Sequence, residues 1–163
     1  MKISLINTSS SDTGIGKYVE SILKQFNKNK SNLNLKLDYV YLDYNNKSIN
    51  IRTYDKRTIR IKKPIFRLGL KRPIFYFLTA PFIPQSDIYH LSTQNISFIR
   101  PKNSIITCHD LIHRVYPETF LNLLSSYFFY KGLSKSIKII SDSESTKKDI
   151  IRYIPDYINK IEV

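Results

Sequence analysis

The chain has 163 residues, with 42% hydrophobic and 13% aromatic residues, enough for one well-cored domain and short for two. Its net charge is +13, which points to an anionic partner, and its single cysteine, Cys108, excludes a disulfide framework or a cysteine zinc site within one chain. The opening MKISLINTSSS has too short an apolar run for a signal peptide, and Pro73 to Pro84 is too short and proline-rich for a bilayer span, which takes roughly 20 apolar residues.

In chain order, Lys2 to Asn7 reads as a strand and Thr8 to Gly14 as a polar loop. From Ile15 a helix begins, with Ile15, Tyr18, Val19, Ile22, Leu23 and Phe26 on one face, fraying in Asn27 to Asn32. Leu33 to Tyr41 alternates as a second strand. Asn45 to Lys63 is polar, basic and irregular, with a short strand at Thr58 to Ile61. Pro64 to Pro84 holds four of the seven prolines, so only a short helix at Lys71 to Leu78 is expected. Asp87 to Leu91 and Ser104 to Cys108 are short buried strands. Thr119 to Leu133 is helical, and Ser136 to Ser141 is a strand. Ser143 to Tyr153 is a helix capped by Asp142 or Ser143, and Ile161 to Val163 begins another strand. Strands alternating with helices, and apolar on both faces, predict an α/β, Rossmann-like, doubly wound and mainly parallel sheet in a single domain over residues 1–163.

The charge is unevenly placed. Between Arg52 and Arg72 there are nine basic residues against one acid, Asp55. Membrane lipid, nucleic acid or a phosphorylated substrate would suit such a block. The competing reading is a solvated basic loop, since Lys, Ile, Asn and Tyr are abundant throughout. No helix-turn-helix, zinc or RNA-recognition signature supports nucleic acid.

Three strand-to-helix junctions are candidate sites. The first, Ser11 to Tyr18, carries Gly14 and Gly16, which permit close backbone approach and an anion at a helix N-terminus. Val19 stands where the dinucleotide fingerprint needs a third glycine, and Tyr18 breaks a P-loop, so a plain tight turn explains it equally well. The second is His109-Asp110 after an apolar strand. The histidine would donate to a sugar hydroxyl or phosphate, with the carboxylate orienting it or accepting from a hydroxyl; the alternative is a polar strand end capping the next turn. The third is Asp142 to Lys147, whose Ser-Glu-Ser-Thr is also what a helix N-terminus needs for capping. His90 ends another strand. His109 and His113 have a metal-like spacing but lie across a strand end and a turn, so no metal site is predicted.

Four segments together carry a resemblance: Gly14-Ile15-Gly16-Lys17-Tyr18 opening the first helix, Tyr89-His90-Leu91-Ser92, Ile106 to Ile112 with Tyr116-Pro117-Glu118, and Ile139 to Ile150. In this order and spacing the chain resembles the N-terminal domain of retaining nucleotide-sugar glycosyltransferases of GT-B architecture, the group that includes family-four mannosyl- and glucosyltransferases. The likeness is weakest from Asn45 to Pro84. It implies that Gly14, Ile15, Gly16 and Lys17 face a cleft near the donor diphosphate and acceptor. His109 would lie beside the transferred sugar, contacting it rather than acting as general base. Asp110, His90, Ser143 and Glu144 would line the cleft or hold its shape.

The resemblance further implies an acceptor-side surface, on a glycan or lipid-linked acceptor, at Arg60, Lys62, Lys63, Arg67, Lys71 and Arg72 with Phe75, Tyr76 and Phe77. Cations beside aromatics also suit the inner face of a membrane, giving a cytoplasmic, peripheral protein. The co-substrate would be a nucleotide-diphosphate sugar, with no cofactor held by this domain alone and no metal required. The family's second, donor-binding domain would begin after Lys160 to Val163, in the same gene or a separate chain. The present chain alone is therefore expected to be inactive.

Overall fold

The computed structural model describes residues 1–29, 34–53, 55, 57–69, 71–99, 102–116, 119, 126–127, 129 and 131–163, with His113 and Arg114 described by backbone only. The chain forms two compact units, Met1–Ser92 and Thr93–Val163. The fold is α/β, mainly parallel and Rossmann-like, as the alternation of strands and helices predicts.

In the first unit, β1 (Lys2–Asn7) is followed by α1 (Gly14–Asn29), β2 (Lys36–Asp43), β3 (Ser48–Arg52) and β4 (Thr58–Ile61). Then come a 3-10 turn at Pro64–Arg67, α2 (Arg72–Thr79), a second such turn at Ala80–Phe82, and β5 (Ile88–Leu91). The strand order is β4-β3-β2-β1-β5. β1 is parallel to both neighbours, pairing Leu5 with Tyr39 of β2 and with His90 of β5. Leu5, Ile6, Val40, Leu42 and Leu91 are fully buried, as expected for central parallel strands covered on both faces. The N-terminal end of β1 is pinned electrostatically. Lys2 Nζ lies 3.0 Å from the buried Asp38 carboxylate, and its backbone N–H donates to Asp87 at 2.7 Å.

Asn45 to Lys63 is more ordered than its polarity suggests. The expected strand β4 is present, but so is β3, antiparallel to both β2 and β4. The hairpin between β2 and β3 carries no glycine signal. Lys47 takes the left-handed position at φ 48°, and the Asp43 carboxylate holds the turn by accepting from the Asn46 backbone N–H at 2.9 Å and side-chain amide at 2.8 Å. β2 runs to Asp43, two residues beyond the expected Tyr41.

In the second unit, a 3-10 turn at Gln94–Ile96 precedes β6 (Ser104–Cys108) and the single-turn helix α3 (Ile112–Val115). β7 (Lys138–Ser141), α4 (Glu144–Tyr153), a 3-10 stretch at Pro155–Lys160 and β8 (Ile161–Glu162) follow. The order β6-β7-β8 is wholly parallel. Lys138 and Glu162 form an ion pair across β7 and β8. Residues 126–127, 129 and 131–134 are helical, one residue past the Leu133 end of the expected helix; Thr119, its expected start, is a bend, and the other residues of that helix, with Pro117-Glu118, lie outside the described residues. None of the helices among the described residues is long and apolar enough to cross a membrane.

Candidate functional site

In a parallel α/β sheet, ligands bind beyond the carboxyl ends of the strands. Each unit carries a polar cluster at such an end, reached from different parts of the sequence.

In the first unit the centre is Asn7, the last residue of β1 and almost fully buried. Its Nδ2 donates to the Ser9 carbonyl at 2.8 Å and the Tyr39 hydroxyl at 3.2 Å. Its Oδ1 accepts from Ser9 N–H at 3.0 Å and Ser92 Oγ at 3.1 Å, so all four of its hydrogen-bonding positions are used. The loop then enters α1 through a cap. The Thr13 hydroxyl donates to the Ser10 carbonyl at 2.8 Å and accepts from Gly16 N–H at 3.0 Å. Gly16 is buried and leaves no room for a side chain, since a Cβ there would sit 1.9 Å from the Ser10 carbonyl oxygen, whereas a Cβ on Gly14 would meet nothing within 4 Å. Gly14 and Lys17 are exposed and Ile15 is half-buried.

His90 lies at the end of β5 with its ring edge-on to Tyr18, centroids 6.4 Å apart. Burial pushes its imidazole down to about 4, so it is neutral at physiological pH. Tyr76 of α2 hydrogen-bonds the Thr8 side chain in the β1 loop, and burial raises its hydroxyl above the ordinary tyrosine value.

In the second unit the parallel register sets Cys108 of β6 opposite Ser141 of β7. One residue on, His109 and Asp142 meet, with Nδ1 to Oδ2 at 3.3 Å. Thr146, in the first turn of α4, ties both together: its hydroxyl is 3.1 Å from the His109 carbonyl oxygen and 3.0 Å from Asp142 Oδ1. Ser143 is the N-cap of α4, accepting from Thr146 N–H at 3.1 Å and donating to its hydroxyl at 3.0 Å. Gln94 supports the other side. Its Oε1 accepts from His109 N–H at 3.4 Å and its Nε2 donates to the Asp110 carbonyl at 2.9 Å.

The Asp110 carboxylate accepts from Ile112 N–H at 3.2 Å, at the entry to α3. Glu144 is exposed in the first turn of α4, where its charge complements the helix dipole. Burial drives the Cys108 thiol up to about 12, so this residue at the end of β6 is a protonated core group. His113 lies in α3 and His109 precedes that helix, so the two do not share one helix face. The described residues contain no group of three or more His, Cys, Asp or Glu placed to hold a metal ion.

The basic stretch divides by exposure. Arg60, Lys62, Lys63, Arg67, Lys71 and Arg72 are all exposed, together with Ile65, Leu68, Ile74 and Phe77. Phe75 and Tyr76, expected in the same surface, are instead core residues. Phe75 is wholly buried against Phe66, with ring centroids 5.4 Å apart, and against Tyr44 at 5.6 Å. The side of α2 that carries them faces inward and leaves only Phe77 of the triplet outside, 66% exposed.

A cavity of about 800 Å³ lies elsewhere in the first unit, between α1 and the β2–β3 face, lined by Leu23, Phe26, Tyr39, Tyr41, Ile51 and Arg52 among others. It holds none of the residues nominated from sequence. It runs along the strands rather than at their carboxyl ends, so the polar clusters remain the stronger candidates for chemistry. Asn7 and Gln94 are not singled out by the sequence, whereas Thr13, Asp142 and Thr146 lie within the first and third candidate junctions. Asn7 had a legible signal, a buried-strand pattern ending on an amide; Gln94 had none. Comparison of the chain with protein-family models and with curated proteins gives no match to either.

Proposed function

We propose that this chain is the acceptor-side domain of a retaining glycosyltransferase, which moves a sugar from a nucleotide-sugar donor to a glycan or lipid-linked acceptor. The observation that carries the reading is the convergence of His109, Asp142, Ser143 and Thr146 at the carboxyl ends of β6 and β7, where an α/β sheet holds its ligands. These residues belong to two of the four segments on which the resemblance rests. Of the other two, Gly14–Tyr18 opens α1 behind the Thr13 cap and Tyr89–Ser92 closes β5.

In this reading His109 contacts the sugar or the acceptor hydroxyl, and Gly16 lets the loop fold tightly against Ser10. The donor nucleotide belongs to a second, donor-binding domain, in the same polypeptide or a partner chain, and that domain stabilises the leaving diphosphate electrostatically. The exposed cations and apolar side chains between Arg60 and Phe77 supply a surface for a lipid-linked acceptor at an anionic bilayer.

The test is a transfer assay with the chain joined to a donor-binding domain, labelled nucleotide sugars and a membrane lipid extract. His109→Ala should lower turnover by about tenfold or more, equivalent to roughly 1.4 kcal/mol of lost transition-state contact, with an unchanged circular dichroism spectrum. Wild-type turnover in that variant would remove His109 from the site.

The same exposed surface favours a second reading, a non-catalytic basic module that binds anionic membrane. Flotation with anionic but not neutral liposomes, together with no sugar transfer from any donor, would select it. Failure to float with either lipid would exclude it.

A further inference from the structure

We propose that the cavity between α1 and the β2–β3 face of the first unit binds a single-chain amphiphile, its apolar chain lying against α1 and β2 and its anionic head on Arg52. The site is separate from the strand-end clusters and does not depend on sugar transfer.

Three observations carry it. First, the two faces of β2 are unequally covered. Val40 and Leu42 are fully buried, as is Ile49, opposite Leu42 on β3. Leu37, Tyr39 and Tyr41 alternate with them, point to the other face and are only half-buried. α1 covers that face with Leu23 and Phe26, themselves half-buried, and a space of about 800 Å³ remains between helix and strands. Clefts of roughly 300–1,000 Å³ with mostly apolar walls and a few polar groups are the usual small-molecule sites.

Second, the space is elongated. Its floor from Leu37 to Tyr41 extends about 13 Å at the rise of a strand, and its wall from Glu20 to Asn27 about 10 Å at the rise of a helix. An extended alkyl chain fits such a trough better than a compact ring system does. The two tyrosines add no charge, because burial raises both hydroxyls above the ordinary tyrosine value. The Tyr39 hydroxyl also accepts from Asn7 Nδ2 at 3.2 Å, which holds its ring in place as part of the floor.

Third, the polar groups are gathered on one side. Antiparallel register sets Arg52 opposite Tyr39 and Asn50 opposite Tyr41, so both share the face of the tyrosines. Thr58 and Arg60 of β4 stand across from Arg52 and Asn50 on that same face. The cavity is therefore apolar along α1, while the hairpin side offers hydroxyl and amide donors and a guanidinium, a set that suits a carboxylate or phosphate head. Among the described lining residues Arg52 is the one cation and Glu20 the one anion. Glu20 is exposed on the α1 rim, where its charge repels an anionic head and favours the hairpin side for it.

The test is titration calorimetry of the full chain with octanoate, decanoate, decyl phosphate and decanol, each below its micelle concentration, with ligand-to-protein nuclear Overhauser contacts to locate the bound chain. Decanoate or decyl phosphate should bind about tenfold or more tighter than decanol. Decanoate should bind about fifteenfold tighter than octanoate, since each buried methylene adds roughly fourfold. Its methylenes should contact the Phe26 and Tyr39 rings. Arg52→Gln, at an exposed position, should weaken binding of the anions by about tenfold and leave the weaker binding of decanol in place. Binding of either anion upholds the site and identifies its head group. Failure of both anions to bind, decanol binding as tightly as they do, affinity independent of chain length, Arg52→Gln binding like wild type, or contacts confined to the exposed basic surface at residues 60–77 would each overturn the proposal. None of these readouts needs a sugar, so failure of glycosyl transfer and failure of this inference are separately visible.

Discussion

Gly16 packs so closely on Ser10 that a Cβ on it would lie 1.9 Å from the Ser10 carbonyl oxygen and 2.8 Å from Ser11 Cα. The obstacle is backbone, which cannot swing aside as a side chain would. Gly16→Ala should therefore destabilise the first unit by about 1–3 kcal/mol or more, as overpacking does. Gly14, with open space around its Cβ position and no positive φ, should accept alanine with a gain of about 0.4–1 kcal/mol from a less flexible unfolded chain. Urea unfolding midpoints of the two variants should move in opposite directions.

The neutrality of His90 makes stability depend on pH. In the folded state its value is about 4, against 6.5 for the ordinary group, because burial penalises the cation. Between those values only the unfolded chain takes up the proton, and falling pH draws the equilibrium toward unfolding. The contribution is complete above pH 6.5 and is lost as the pH falls to 4, roughly 3 kcal/mol in all. The difference in unfolding free energy between wild type and His90→Gln should shrink across that window. A constant difference would show that the ring is protonated in the fold.

Cys108 should be inert. Its side chain is fully buried at the end of β6 and its thiol is raised to about 12, so the reactive thiolate is scarce at neutral pH. A disulfide reagent at pH 8 should label it only after urea unfolding. Rapid labelling of the native protein would mean that the β6 end opens readily.

Phe75 and Phe77, two residues apart on α2, should respond oppositely. Phe75→Ala removes a ring wholly buried against Phe66 and Tyr44 and should cost about 3–5 kcal/mol. Phe77→Ala should change stability by no more than about 0.5 kcal/mol, since the ring is 66% exposed. If the basic surface docks on anionic lipid, the same Phe77→Ala protein should float less well with anionic liposomes while its thermal melt is unchanged.

Some of the structure was legible in the chain because it depends on local pattern. β1 and β6 lie where apolar runs end in polar loops, and Ser143 caps α4 because Ser-Glu-Ser-Thr supplies its own partner at Thr146. β3 was not legible. The turn before it uses Asp43 and a left-handed Lys47 in place of the Asn-Gly or Asp-Gly pair that marks a hairpin. The split of Phe75-Tyr76-Phe77 was not legible either, because a short helix within an aromatic run does not show which of its sides the core will take.

By itself, the sequence determined the α/β class, the alternation of strands and helices, and the position of His109 at the end of a buried strand. All of these follow from periodicity and from short-range polar chemistry. Only the tertiary structure placed the Asp142 carboxylate beside the His109 ring. The adjacent Asp110 accepts from Ile112 N–H, while parallel pairing of Cys108 with Ser141 brings Asp142 alongside from 33 residues away. Strand register is a long-range property, set by burial of both sheet faces, and no local spacing encodes it.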